Sequence, residues 1–301
     1  MALTDDIRKC VFFIGHGEDE HFKSCGTAFL IEYDNAKYIV TAGHVARGLG
    51  DDPFAVRINK VDGTSETFTH DPHDEGAAWF RWYFSDDPNV DLAIIPFNFV
   101  LSKMGLELKA LRGGEWILDE VKYREERVGL GDTCYAVGLF RVLQGARRNV
   151  PILHTGNLAL VAGEERVPVR DRSRPGKTML INAHLVELAN LEGLSGAPVF
   201  IRGELELAGL TFGEHGQRNM VAKDSRLHLL GVWQGSWDQE APAARAGERV
   251  PVGVGIVVPA SDLLALLNQK DVVEERNRFL HAAALAEMAV TDAKETSGPA
   301  A

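Results

Sequence analysis

The sequence predicts an all-β chain that folds as two small barrels and closes on a C-terminal helix. Three observations predict it. Most apolar segments alternate with period two, in short runs rich in Val, Ile, Leu and aromatics. These runs fall into two sets of about six, bounded by Gly, Asp and Asn. No β-α-β alternation appears, which argues against a parallel doubly wound sheet. At 301 residues, 45% hydrophobic and with 30 glycines, the chain has ample material for one large domain or two packed lobes.

The first set covers 11–15, 26–33, 38–42, 55–59, 66–69, 79–84 and 92–96. The second covers 133–139, 151–161, 179–188, 197–201, 205–211, 229–234 and 254–258. A less regular stretch, about 98–130, reads as the crossing between lobes, with the first barrel about 8–97 and the second about 131–259. Helix is expected only near the end. Ser261 caps a closing turn that begins at Asp262, with leucines at helical spacing to about 268. A second helical pattern follows at about 272–289, in the segment 269–301, whose final residues read as flexible.

Thirty-two basic against 43 acidic residues give a net charge of −11, which repels phosphate backbones and excludes nucleic acid as a general partner. No run approaches a membrane helix, so no membrane partner is expected. The opening MALTDDIRKCVFFIG carries two aspartates before a short apolar run and lacks the basic start of a secretory signal. Cys10, Cys25 and Cys134 are an odd, scattered set that suits a reducing compartment, so the expected location is cytoplasmic.

Three segments carry the chemistry. KYIVTAGHVA brings His44 off the end of a strand, onto a loop after an Ala-Gly pair. NVDLAIIPF sets Asp91 just before an apolar strand, where a carboxylate is partly buried. LEGLSGAPVF holds Ser195 between glycines. Taken singly, these are a structural histidine, a turn cap and a tight turn. Together, in the order His44, Asp91, Ser195, they are a base, an orienting carboxylate and a nucleophile.

That order and spacing resemble the trypsin/chymotrypsin-like serine proteases over about residues 8–268. The anchors are TAGHV, DLAII and GLSGAPVF, supported by CGTAFLI, GDTCYAVG and LLGVWQG. GVGIVVPASDLLALL is similar to the closing strand and helix of the disulfide-free bacterial branch, the HtrA-like and related peptidases. The resemblance implies two six-stranded antiparallel barrels with the site between them, and a serine endopeptidase acting on protein or peptide substrates. It implies no cofactor and no metal. Ser195 attacks, His44 serves as base and then acid, and Asp91 holds the imidazole; the backbone N–H groups of Gly193 and Ser195 form the oxyanion hole.

Departures from the pattern are informative. Leu194 stands where activated digestive enzymes carry the Asp that pairs with a freed N-terminus, so that switch is missing. Cys25 matches a half-cystine of many relatives, but its partner position is Val45, and Ala197 replaces the second glycine after the serine. By the resemblance, Ala189 and Asn190 lie at the base of the primary pocket. Trp233, Gln234 and Gly235 form one wall, and Gly253 and Gly255 lie near the other. A non-acidic base implies a small or medium apolar side chain before the scissile bond rather than Arg or Lys. Trp233 and Trp237 suit either the cleft or core packing, and His184 and Glu187 lie on the strand leading to the serine loop.

Three other readings compete. One is a catalytically silent or latent trypsin-fold scaffold. An α/β-hydrolase is opposed by Ala197 and by the strands after the serine. A metal site at GHGEDEH (His16, Glu18, Glu20, His21) has the wrong spacing and reads as a charged surface turn. Oligomeric state is not encoded in any motif.

Overall fold

A computed structural model describes residues 7–18, 21–73, 81–97, 105–141, 143, 145, 147–170, 176–188, 192–202, 207–212, 218–222, 227–240 and 249–296. Within these, the side chains of 207–212, 218–222, 238–240, 249–252 and 286–296 are outside the description.

The first half is one antiparallel sheet built from β1 (Val11–His16), β2 (Lys23–Tyr33), β3 (Ala36–Ala42), β4 (Phe54–Asn59), β5 (Ser65–His70), β6 (Tyr83–Phe84) and β7 (Leu92–Pro96). A short helix, α1 (Gly43–Leu49), follows β3 directly. The sheet order is β5-β4-β1-β2-β3-β7-β6, and β8 (Leu111–Arg112) adds in parallel to β2. Period-two alternation sorts its side chains. Phe12, Ile14, Ala28 and Leu30 line the lobe's own interior with Val56 and Ile58. Phe29, Ile31, Val40, Leu92 and Ile94 face the other way and pack with Phe200, Leu229, Val232 and Val258 of the second half.

Two short helices, α2 (Gly113–Trp116) and α3 (Glu120–Glu125), stand in the stretch expected to be irregular. The second half then closes on itself. Its strands are β9 (Thr133–Leu139), β10 (Pro151–Leu160), β13 (His184–Glu187), β14 (Pro198–Arg202), β17 (Leu227–Glu240) and β18 (Arg249–Pro259). They form a closed barrel in the order β10-β13-β18-β17-β14-β9. Leu158, Val186, Leu194, Ala197, Val199, Leu230, Trp233 and Val257 are among the buried side chains of its apolar cluster. Two ribbons stand apart from it, β11–β12 (Val167–Arg170 with Thr178–Ile181) and β15–β16 (Leu207–Phe212 with Arg218–Ala222).

The expectation of two six-stranded barrels is met in part: the second half is a closed ring of six strands, while among the described residues the first half is an eight-stranded sheet without a closing ladder. β6 contributes two residues, paired as Tyr83↔Ile94 and Phe84↔Ala93, and among the described residues no ladder joins it to β5. Side chains cover the gap instead. Trp82 packs on Phe54 with ring centroids 5.4 Å apart, and His70 lies against the same ring at 5.1 Å.

The chain also holds more helix than its sequence pattern predicts. His44 lies in the first turn of α1 rather than on a loop. The closing helix α4 (Ala260–Leu267) begins before Ser261, with Pro259 as its N-cap and no side-chain cap. The 179–188 strand divides at Asn182 and Ala183 into β12 and β13. The last helix, α5 (Lys270–Thr296), runs into the tail that the sequence reads as flexible. Its start is pinned by Arg276, which is 5% exposed and donates to the Leu267 carbonyl and, at 3.0 Å, to Asp34.

Candidate active site

The site starts from where β3 ends. Tyr38, Val40 and Ala42 are buried, so the strand cannot slip without exposing them, and it delivers Gly43 and His44 into α1. β7 is the neighbour of β3, with Ala42 opposite Leu92, which sets Asp91 beside the helix start. The Gly43 N–H donates to the Asp91 carbonyl at 2.9 Å, and the His44 N–H donates to Asp91 Oδ1 at 2.7 Å. Asp91 thus satisfies two orphan donors at the start of α1, where a carboxylate also suits the helix dipole. Its other oxygen, Oδ2, lies 2.6 Å from His44 Nδ1. With that carboxylate as partner Nδ1 is the donor, and in the neutral ring Nε2 is then the acceptor. Asp91 is 9% exposed, and Arg47 approaches its Oδ1 at 3.4 Å. The bland role of a turn cap and the sharp role of orienting a histidine are served by the same carboxylate.

The serine loop is held by four consecutive carbonyls. The Glu192 carbonyl accepts from the Arg141 N–H at 2.9 Å. The Gly193 carbonyl accepts from Thr27 Oγ1 at 2.6 Å. The Leu194 and Ser195 carbonyls accept from the N–H groups of Ala197 (2.8 Å) and Thr27 (2.9 Å). In a trans peptide the N–H points opposite to the C=O. Fixing the carbonyls of 192 and 194 therefore turns the N–H groups of Gly193 and Ser195 the other way. Among the described residues neither N–H has a hydrogen-bond partner.

Gly193 and Gly196 have φ of +103° and +89°, the left-handed region that favours glycine. A side chain at Gly196 would also overlap Thr27 O and Thr41 Oγ1 and sit 3.0 Å from Ala42 N. The residues flanking Ser195 thus touch those just before His44, which brings loop and histidine together from opposite halves. Among the described residues no hydrogen bond joins Ser195 to His44. Such contacts often tighten only when substrate is bound.

The expected pocket residues fall differently. Ala189 and Asn190 lie outside the described residues. Trp233 is fully buried in the barrel core, with its ring against Gly255, where any Cβ would overlap it. Trp237 packs beside Ile256 in a smaller cluster. Gln234 is the extra residue of a β-bulge between the pairs Trp233↔Val257 and Gly235↔Ile256, and Gly235 is part-exposed. Gly253 is exposed.

His184 is 5% exposed and accepts the Ala162 N–H on Nδ1, and burial pushes its pKa down to about 4. It lines a cavity of about 370 Å³ with Tyr123, Ala162 and Ser261, which includes none of the triad. Of the GHGEDEH segment, Glu20 lies outside the described residues, His16 contacts the Pro53 carbonyl and Glu18 accepts from Thr69. Among the described residues no three His, Cys, Asp or Glu side chains cluster to hold a metal.

Thr27 and Arg141 escaped the sequence reading. Both sit in ordinary strand and loop composition, and only the serine motif's need for carbonyl partners could have pointed to them.

No protein-family model and no curated protein matches the chain. Among solved structures it is similar to the active form of the Rv3671c protease of M. tuberculosis, at 15% identity and TM-score 0.47, over 87% of this chain and 80% of that one. It is also similar to a structure described for coupled folding and binding of the intrinsically disordered Sesbania mosaic virus VPg protein (11% identity, TM-score 0.40, 87% and 89% covered). A third is a glutamic acid specific serine protease with a histidine triad in substrate binding (12% identity, TM-score 0.39, 86% and 95% covered). The functional reading rests on the chain's own residues.

Proposed function

We propose that the chain is a serine endopeptidase of trypsin-like architecture, of the disulfide-free bacterial type, acting through His44, Asp91 and Ser195. The observation that carries the reading is the two-point clasp of Asp91 on His44, at 2.7 Å to its N–H and 2.6 Å to Nδ1. That clasp supports a histidine held in one tautomer with Nε2 free to accept a proton.

A peptide carbonyl carbon is attacked by Ser195 Oγ, whose proton passes to His44 Nε2. Asp91 keeps Nδ1–H in place and stabilises the imidazolium. The negative oxygen of the tetrahedral intermediate is met by the N–H groups of Gly193 and Ser195. His44 then protonates the leaving amine as the C–N bond breaks; a water attacks the acyl carbon as it gives a proton to His44, which passes that proton to Ser195 Oγ as the ester bond breaks. The part-exposed stretch around Gly235 receives the extended substrate strand. The preferred side chain before the scissile bond is small or medium and apolar; a cleavage profile of a peptide library dominated by Arg and Lys would sink that part.

The decisive experiment is labelling with a fluorophosphonate, which reports an activated serine. Labelling of the wild type and its loss in Ser195→Ala is the expected result. Equal labelling of both, or none of either, would overturn the reading.

A further inference from the structure

We propose that the Thr27 hydroxyl is the latch that holds the oxyanion loop in its working shape, in place of the ion pair that Leu194 excludes. The proposal rests on the protease reading above. It follows from which groups hold the four carbonyls of residues 192–195. Two of those partners, Arg141 N–H and Ala197 N–H, are backbone groups of the serine's own half. The other two both come from Thr27, on β2 of the opposite half.

Thr27 is fully buried, and its hydroxyl both donates and accepts. Oγ1 donates to the Gly193 carbonyl at 2.6 Å and accepts from the Leu139 N–H at 3.1 Å. The Leu139 N–H can only donate to this oxygen, which leaves the hydroxyl proton to the Gly193 carbonyl. Its carbonyl in turn accepts from Thr41 Oγ1 at 2.8 Å, which fixes Thr27 itself. A buried, fully satisfied network of this kind rigidifies what it touches.

The Gly193 carbonyl belongs to the peptide plane between the two that carry the Gly193 and Ser195 N–H groups. If that plane rotates, the two donors no longer converge. Gly193 at φ +103° has a wide range of accessible backbone states, so something must select one. Leu194 cannot do so with charge. Its side chain is 1% exposed in the barrel's apolar cluster and anchors the loop without orienting a peptide plane. The hydroxyl supplies the direction. Thr27 is a positioning residue, since it acts on the oxyanion donors and not on substrate. The latch also makes the loop competent without proteolytic processing, because both of its ends are present in the intact chain.

The test compares fluorophosphonate inactivation of wild type, Thr27→Val and Thr27→Ser in the full chain. Val keeps the volume and removes the hydroxyl; Ser keeps the hydroxyl. Loss of a whole oxyanion donor costs ~10²–10³ in rate, so misorientation in T27V should lower the maximal inactivation rate about ten- to a hundredfold. Reversible binding of the reagent should change little, and T27S should stay within about threefold of wild type. A purely structural role would lower the thermal midpoint and leave the rate well below that midpoint unchanged. Should T27V fail to fold, T27A and T27S form the same comparison, since both lack the methyl and differ only in the hydroxyl. Equal rates with and without the hydroxyl would overturn the latch and leave the protease reading standing. A wild type that is never labelled would overturn both.

Discussion

Leu194→Ala is the perturbation that measures how firmly an apolar side chain anchors the serine loop. Leu194 is 1% exposed and packs in the barrel cluster with Ala197, Val199 and Trp233. Its Cδ2 occupies the place where a side chain on Gly138 of β9 would be. Truncation leaves a void beside Gly138, which has no side chain to fall into it. Buried Leu→Ala changes cost about 3–5 kcal/mol when the site cannot collapse. At roughly 2–4 °C per kcal/mol for large domains, the thermal midpoint should fall by roughly 6–20 °C.

The neighbouring glycine supplies the control. Gly138→Ala alone should also destabilise, because its methyl would overlap Leu194. In the double variant the new methyl fills part of the void. The two losses should therefore fall short of additive by about 1 kcal/mol or more, read as a double-mutant cycle on urea or thermal unfolding. Leu194→Met should cost less than about 1.5 kcal/mol, since it conserves volume. Strict additivity, or an L194A variant as stable as wild type, would refute the argument that an apolar peg anchors this loop.

Two further outcomes follow from the geometry. Asp91→Asn should retain the fold while slowing turnover on the order of 10⁴-fold. The amide would offer Nδ2–H to His44 Nδ1, move the ring proton to Nε2 and leave no acceptor for the serine; an activity loss below about tenfold would contradict the clasp. His184 has its folded pKa pushed by burial from 6.5 to about 4, so the unfolded chain binds its proton first as pH falls. The associated stability is fully present above pH 6.5 and is lost as pH falls towards 4, by about 3 kcal/mol. Asp262 opposes it below pH 6, its carboxyl being raised to about 6 by burial first and then by Asp87. The test is therefore the difference between wild type and His184→Asn, which keeps an acceptor for Ala162 without a titrating ring. Parallel stability curves from pH 7 to 4 would contradict it.

Much of the fold was legible because burial alternates along each strand. β7 and β9 lie where the period-two pattern puts them, and several other strands were found but are longer than the apolar run. The misses have physical causes. β11 (VPVR) and β16 (RNMVA) are only four and five residues long and mix apolar with polar or proline residues, too short a run for a period-two pattern to stand out. α1 is seven residues long, too short for a helical period to appear. The closure of the second half depends on which strands meet across long loops, and no local pattern encodes that.

The sequence by itself determined the chemical parts and their order: a histidine after a buried strand, an aspartate before one and a serine between glycines. These are local properties, set by residue type and by short-range turn geometry. Only the tertiary structure decided how the parts are held. Thr27 reaches Gly193 and Ser195 because β2 of one half lies against the serine loop of the other, a contact made across 166 residues of chain. A hydroxyl's partner is fixed by direction and distance in space, and neither is written in its neighbours along the chain.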